Sequence, residues 1–272
     1  MDANVTKMRE FAGCKMLAGR DGGVGLVAFN QPEKRNAMSI EMWEGLVAIL
    51  DEFAADDTIR VVVLTGAGDK AFVSGADISQ FEKNRANADA QVEYDRLTSA
   101  GRARLATFAK PTIAKIRGFC LGGGLAIAMQ TDLRIASESA QFGIPAARLS
   151  IAYAFDGLRK LVQLVGPAHA RMTLYTANRI GAREAERIGL INQAVAEAEL
   201  DGAVMAIAQA IADNAPLSIA ASKLTITEVM KDPADRDMEA VRRAGVTCFD
   251  SADYKEGRKA FMEKRRPVFV GR

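Results

Sequence analysis

The sequence predicts an α/β fold with mainly parallel strand pairing, followed by an all-helical tail. Three observations carry this. Short apolar runs that read as buried strands alternate with helical periodicity as far as about residue 200. Beyond that point helical periodicity continues and no strand signal appears. Glycine-rich turns follow the buried strands and open helices, as strand–helix units require.

The elements follow in order. Apolar runs Lys15–Ala18 and Val24–Phe29 flank Asp21-Gly22-Gly23, a hairpin signal. Pro32 ends the hairpin. Ser39 then caps a helix to about Phe53, with Met42, Leu46, Ile49 and Phe53 at helical spacing. Arg60–Thr65 is an apolar strand ending at Gly66, and Ala90–Phe108 a helix stopped by Lys110-Pro111. Thr112–Ile116 and Leu133–Ala136 are buried strands, separated by a glycine-rich turn from Gly118 to Gly124 and a helix starting at Leu125–Met129. A helix is expected over Leu158–Val165. Gly202–Ala212, Ser218–Met230, Arg236–Phe249 and Tyr254–Lys264 are the helices of the tail. Residues 1–200 are thus expected to form the core and 201–272 a helical segment.

Composition narrows the function. The chain has 272 residues and a net charge of +2, which points to neither nucleic acid nor an anionic membrane. One histidine excludes multi-histidine metal sites, and none is expected. Three scattered cysteines, Cys14, Cys120 and Cys248, suit a reducing cytosol rather than a disulfide framework. The N-terminus lacks an apolar leader and no run approaches the ~20 residues that span a bilayer, so a cytoplasmic protein is expected.

The chemistry concentrates in two glycine loops. In Ile116-Arg-Gly-Phe-Cys-Leu-Gly-Gly-Gly-Leu-Ala-Ile a buried strand runs into glycines that open a helix. Free N–H groups at a helix N-terminus bind an anion or a developing oxyanion. Lysine does not follow Gly123, which excludes a phosphate loop, and the dinucleotide pattern G-x-G-x-x-G is absent. Close strand–helix packing is the alternative reason for the glycines. A second loop, Phe72-Val-Ser-Gly-Ala-Asp-Ile-Ser, follows the strand ending at Gly66. Two such loops meeting at one sheet end would aim two N–H groups at one oxygen, the arrangement that stabilises an enolate or tetrahedral oxyanion of a thioester.

With these loops the chain resembles the crotonase superfamily, the enoyl-CoA hydratase/isomerase family. The matching segments are Asn30-Gln-Pro-Glu-Lys-Arg-Asn-Ala-Met-Ser, Lys70-Ala-Phe-Val-Ser-Gly-Ala-Asp-Ile, Lys110-Pro-Thr-Ile-Ala-Lys-Ile-Arg-Gly, Gly122-Gly-Gly, Asp132-Leu-Arg-Ile-Ala-Ser, Ala140-Gln-Phe-Gly, Ala182–Gly189 and the closing Tyr254-Lys-Glu-Gly-Arg-Lys-Ala-Phe-Met-Glu-Lys-Arg-Arg-Pro-Val-Phe. The resemblance implies a spiral of ββα turns with a C-terminal helical segment that builds a homotrimer or homohexamer. It implies an acyl-CoA thioester as ligand, coenzyme A being part of the substrate and no other cofactor. The oxyanion hole falls on the N–H groups of Ala76 and Gly123. Adenine contacts fall on Ala76, Asp77 and Ile78, and Ser74, Gly75 and Gly122 line the ligand beside them. Phosphate contacts fall on Lys34 or Arg35, and Phe261 and Lys264 reach a neighbouring subunit's ligand. The Lys264-Arg265-Arg266 run is otherwise a solvated helix end.

The chain departs from the hydratase pattern where the resemblance puts two catalytic glutamates. Those positions hold Ala126 and Ala146. A methyl group neither takes nor gives a proton, so water addition by paired carboxylates is not available. Nearby, Tyr153-Ala-Phe-Asp-Gly157 replaces a proline- and glycine-rich loop. A buried Asp156 would have its pKa raised by desolvation and serve as the proton-transfer group; it otherwise caps the following helix. Tyr153 is the other candidate, either as proton carrier or as pocket wall. Arg148 would hold a substrate carboxylate or form a structural ion pair. Double-bond isomerisation, decarboxylation and thioester hydrolysis are then as compatible as hydration, and the rival is a catalytically silent CoA-binding paralogue.

Overall fold

The computed structural model describes residues 8–77 and 88–272. Strands β1 (Arg9–Phe11), β2 (Met16–Asp21), β3 (Val24–Phe29), β4 (Val61–Gly66), β6 (Thr112–Ile116), β8 (Leu133–Ser137) and β11 (Gln193–Val195) form a seven-stranded sheet in the order β1-β2-β3-β4-β6-β8-β11. The hairpin β2–β3 is antiparallel with Asp21 opposite Val24, so Gly22-Gly23 is the turn. From β3 onward pairing is parallel. A second sheet holds β5 (Ala71–Val73), β7 (Phe119–Leu121), β9 (Gln141–Gly143) and β10 (Ile180–Gly181) in the order β10-β9-β7-β5.

The chain passes from the large sheet to the small one and then into a helix, three times over. The turns are β4–β5–α2 (Ala88–Ala106), β6–β7–α3 (Gly123–Gln130) and β8–β9–α4 (Phe155–Thr176). In each sheet the strands of successive turns are parallel neighbours. This is the expected ββα spiral.

Burial explains why the large-sheet strands read as unbroken apolar runs. Along β4, Val62 and Leu64 enter one cluster with α1 (Ile40–Ala55), while Val61 and Val63 enter another. A strand covered on both faces has no polar side. Helix α1 contributes Met42, Leu46, Ile49 and Phe53, the stripe expected from its spacing, and each fully buried side chain of this size stabilises by about 1.5–3 kcal/mol. Ser39 occupies the N-cap, but its hydroxyl makes no capping bond.

The second face is covered by α6 (Leu200–Ala212), through Leu200, Val204 and Ala208. Helix α5 (Ala182–Arg187) precedes β11. The division expected at residue 200 therefore meets a helix that packs on the sheet. The helices that do not line either sheet cluster start after it: α7 (Pro216–Val229), α8 (Met238–Asp250) and α9 (Ala252–Met262). Helix α4 runs past the expected end at Val165, interrupted at Gly166 (φ 71°) and Pro167. Among the described residues no strand follows β11, and no single helix is long and apolar enough to cross a membrane.

Candidate active site

The expected convergence of the two glycine loops occurs, but on the small sheet rather than at the end of β4. Strands β5, β7 and β9 are parallel neighbours. Their C-terminal ends therefore lie side by side, and each continues into a loop: Ser74–Asp77, Gly122–Gly123 and Ile144–Ala146. Strand β7 is central, so the glycine triplet stands between the other two. The Gly122 N–H donates to Gly143 O at 2.8 Å, tying the second loop to the third.

Among the described residues the N–H groups of Ala76 and Gly123 are left without acceptors. Met38 forms a parallel bridge to Ala76: its N–H donates to Gly75 O (2.8 Å) and its carbonyl accepts from Asp77 N–H (2.9 Å). Those two bonds straddle Ala76 and turn its own N–H to the other side. Gly123 is the first residue of α3, where N–H groups have no intrahelical partner. Among the described residues neither N–H has an acceptor. The Cβ position on Gly123 lies 3.6 Å from the Ala76 nitrogen. The two nitrogens are thus within about 6 Å, a separation one oxygen bridges with about 2.7–3.1 Å to each donor. The positive end of α3 adds to their pull.

Glycine is required for this meeting at two places. A methyl on Gly124 would lie 1.9 Å from Val73 O, so only glycine lets α3 rest directly on the β5 backbone. Gly122 has φ 51° and ψ −115°, a conformation foreign to residues with a Cβ. Close packing therefore accounts for Gly124, and backbone conformation for Gly122.

The segment from Gln31 to Ser39 clamps the first loop. Asn36, fully buried, donates to Ala71 O (2.8 Å) and Ala67 O (3.0 Å) and accepts from Gln31 N–H (2.9 Å). The Arg35 carbonyl accepts from Ser74 N–H (3.1 Å). Met38 and Asn36 both lie in the Asn30–Ser39 motif, but their backbone and amide roles leave no residue-type signal in the sequence.

The remaining expected residues fall as follows. Ser74 is half-buried and Gly75 is buried with φ 127°. Asp77 is buried and pairs with Lys34 at 2.8 Å, which raises the Lys34 ammonium above its ordinary pKa. Lys34 is exposed, so it stands at the loop surface with its charge already partnered. Arg35 is exposed and lies over the Phe119 ring at 5.4 Å, with Arg179 over the same ring at 4.8 Å. Ile78 lies outside the described residues. Ala126 is half-buried between the buried Leu125 and Ile127, and Ala146 is half-buried beside Pro145. Pro145 Cδ is 3.8 Å from the Cβ position of Gly122, so Ala146 stands next to the triplet.

Two expectations change. Asp156 is not buried: it is exposed in the first turn of α4, whose N-cap is Ala154, so it does not cap the helix. Solvent reaches it because Phe155, before it, is itself 74% exposed. Tyr153 is turned inward, its Oη 3.4 Å from Gly122 O, and burial pushes its hydroxyl well above the ordinary tyrosine range. A hydroxyl perturbed in that direction is a donor and not a base.

Arg148 is exposed on the short 3-10 helix Pro145–Leu149 and donates to Asn178 Oδ1 (3.0 Å); among the described residues it has no carboxylate partner. Burial raises the Cys120 thiol, consistent with a packing role. Phe261, 83% exposed, lies in the last turn of α9, and Lys264 follows its C-cap Glu263. Among the described residues no side-chain hydrogen bond or ion pair joins them to the three loops.

Comparison with known proteins gives one answer. The family model described as enoyl-CoA hydratase/isomerase matches residues 19–272. The chain is 38% identical over 247 residues to a short-chain-enoyl-CoA hydratase of Clostridium acetobutylicum, covering 91% of this chain and 94% of that protein. It is 38% identical over 247 residues to a crotonyl-CoA hydratase of Syntrophomonas wolfei, covering 89% and 93%. The crystal structure of an enoyl-CoA hydratase/carnithine racemase from Magnetospirillum magneticum matches with a TM-score of 0.91 at 35% identity, over 95% of this chain and 96% of that one.

Proposed function

The chain belongs to the enoyl-CoA hydratase/isomerase family and is an acyl-CoA-processing enzyme, and we propose that it acts by stabilising a thioester enolate between the N–H groups of Ala76 and Gly123. The observation that carries this is a pair of amides, Ala76 and Gly123, that have no acceptor among the described residues and lie close together, the Gly123 Cβ position being 3.6 Å from the Ala76 nitrogen. The thioester oxygen takes both hydrogen bonds. As solvent water takes the proton from Cα, the electron pair passes into the thioester carbonyl, and the negative charge on its oxygen is held by donors already in place, each worth about 2.7–4 kcal/mol of barrier at comparable sites.

The coenzyme A moiety of the substrate lies along Ser74, Gly75, Asp77 and Gly122, with Lys34 and Arg35 at its phosphates. Ala126 and Ala146 shape the acyl end. A homotrimer or homohexamer brings Phe261 and Lys264 to a neighbour's ligand; the exposed Phe249, Phe261, Met262 and Val268 of the tail support burial against another copy.

The test is incorporation of solvent deuterium at Cα of bound butyryl-CoA. Exchange that is lost when the amide pair is blocked supports the reading. Thioester binding without exchange, across a panel of acyl chains, would favour a silent CoA-binding paralogue instead.

A second reading has its own observation. Among the described residues no carboxylate hydrogen-bonds to the Gly122–Gly123 or Ala146 segments, while Arg148, on the helix that carries Ala146, has no carboxylate partner. A 2-carboxyacyl-CoA fits this arrangement. Its carboxylate would sit on Arg148, the bond from Cα to the carboxyl carbon would break, and the electron pair would pass into the thioester carbonyl as carbon dioxide leaves. Water would then protonate Cα. Release of carbon dioxide from malonyl-type thioesters tests it.

A further inference from the structure

We propose that Tyr153 is a positioning residue for the oxyanion site, acting through the peptide bond that joins Gly122 to Gly123. Its hydroxyl donates to the Gly122 carbonyl oxygen, and the N–H of that same peptide group is the Gly123 donor. The inference rests on the enolate reading above.

The peptide group is planar and conjugated, so its oxygen and its N–H respond together. A donor placed on the oxygen draws electron density away from nitrogen and makes the N–H a stronger donor. The Gly122 oxygen takes two donors here. Ala126 N–H lies 3.0 Å away, the first helical bond of α3, and Tyr153 Oη lies 3.4 Å away. These match the two lone pairs of a carbonyl. Both donors also resist rotation of a peptide flanked by glycines, which otherwise turns freely.

The hydroxyl is placed by packing rather than by a flexible reach. The Tyr153 ring lies against Gly157 in the first turn of α4, where a methyl would come within 2.7 Å of Cε1. Residue 157 therefore has to be glycine for the ring to lie there. Burial keeps the hydroxyl protonated, so it is present as a donor throughout the neutral range. At 3.4 Å the bond is long for O–H···O. Charge arriving at the Gly123 N–H pushes electron density onto the Gly122 oxygen, and the contact tightens as the oxyanion forms. The interaction is thus stronger in the transition state than in the resting chain, the condition for it to lower a barrier.

The test uses the full chain with crotonyl-CoA carrying 13C at the thioester carbonyl, read by isotope-edited infrared spectroscopy. Deuterium exchange at Cα of butyryl-CoA is measured beside it. Wild-type protein should lower the carbonyl stretch relative to free thioester. Y153F keeps the ring on Gly157 and removes only the hydroxyl. It should recover part of that shift and lower kcat for exchange about three- to tenfold, with KM and Tm unchanged. Tyr153 replaced by 3-fluorotyrosine, a stronger donor of similar shape, should deepen the shift. A Y153F protein with the wild-type shift overturns the proposal. So does a Y153F in which KM rises and Tm falls along with kcat, which marks a packing role. Loss of exchange beyond about a thousandfold in Y153F would instead assign proton transfer to the hydroxyl. No shift in wild-type protein removes the enolate reading itself, and the proposal with it.

Discussion

Substituting Gly124 by alanine should disable the site without touching any atom that meets substrate. The added methyl would stand 1.9 Å from Val73 O, 2.7 Å from Val73 C and 2.9 Å from Val73 Cβ. Two of these are backbone atoms of β5 and cannot swing aside. Relief to ordinary contact needs α3 to withdraw by roughly 1.5 Å. Overpacking of this kind costs about 1–3 kcal/mol, which in a chain of this size lowers Tm by roughly 3–10 °C. The same withdrawal carries the Gly123 N–H away from Ala76. Misplacement by about 1 Å costs up to about a hundredfold in rate, and full loss of one donor about a hundred- to a thousandfold. Deuterium exchange at Cα of butyryl-CoA, with Tm by differential scanning fluorimetry, reads both effects. Gly123→Ala is the control one residue away. Its methyl meets Ala76 N at an ordinary 3.6 Å, so Tm should hold or rise while access to the Ala76 N–H narrows and exchange falls about tenfold. Wild-type Tm and exchange in Gly124→Ala would refute the claim that glycine contact with β5 sets the two donors. A large stability loss in Gly123→Ala would refute the reading that its methyl makes only ordinary contacts.

Other outcomes follow from the same structure. Crotonyl-CoA hydration should run well below the ordinary enzymatic range of about 1–10³ per second, because Ala126 and Ala146 carry no proton; turnover within it, measured by loss of enoyl absorbance, would show another group doing their work. Arg148→Ala should raise KM for a 2-carboxyacyl-CoA about ten- to a hundredfold, as loss of a charged hydrogen bond predicts, and leave KM for butyryl-CoA unchanged; equal effects on both would detach Arg148 from carboxylate recognition. Glu256 accepts from Arg265 and from Val268 N–H, and these hold its carboxyl at about 2. Its folded pKa lies below the ordinary ~4.3 of glutamate. The contribution of this contact to tail docking is therefore complete above that value and lost as pH falls toward 2. The Val268 amide resonance should titrate with a midpoint near 2 and not near 4.3.

Legibility followed element size. The strands Thr112–Ile116 and Val61–Gly66 and the helix Ile40–Ala55 announce themselves because burial on one or both faces dictates residue type over several positions. Strands β5, β7, β9 and β10 do not. Each spans two or three residues, and β5 and β7 run straight into glycine-containing loops; over such a length neither alternation nor an apolar run can be told from a turn. Phe119–Leu121 accordingly looks like part of one long glycine turn. The C-terminal helices were legible, but not that α6 belongs with the sheet, since an amphipathic helix does not declare what it covers.

The site divides in the same way. By itself the sequence determined the family resemblance, the two glycine loops, and alanine at the two positions where that resemblance expects glutamates. Those are matters of residue identity, and no fold can supply a carboxylate that is not there. Only the tertiary structure decided which amides are free. Met38 takes the bonds on either side of Ala76, and Gly124 lets α3 settle on β5. It also placed the two candidate side chains, leaving Asp156 exposed and folding Tyr153 inward onto Gly157 and the Gly122 carbonyl. Burial and hydrogen bonding are relations between distant segments, so a pKa, unlike a residue type, is fixed only when the chain has closed around it.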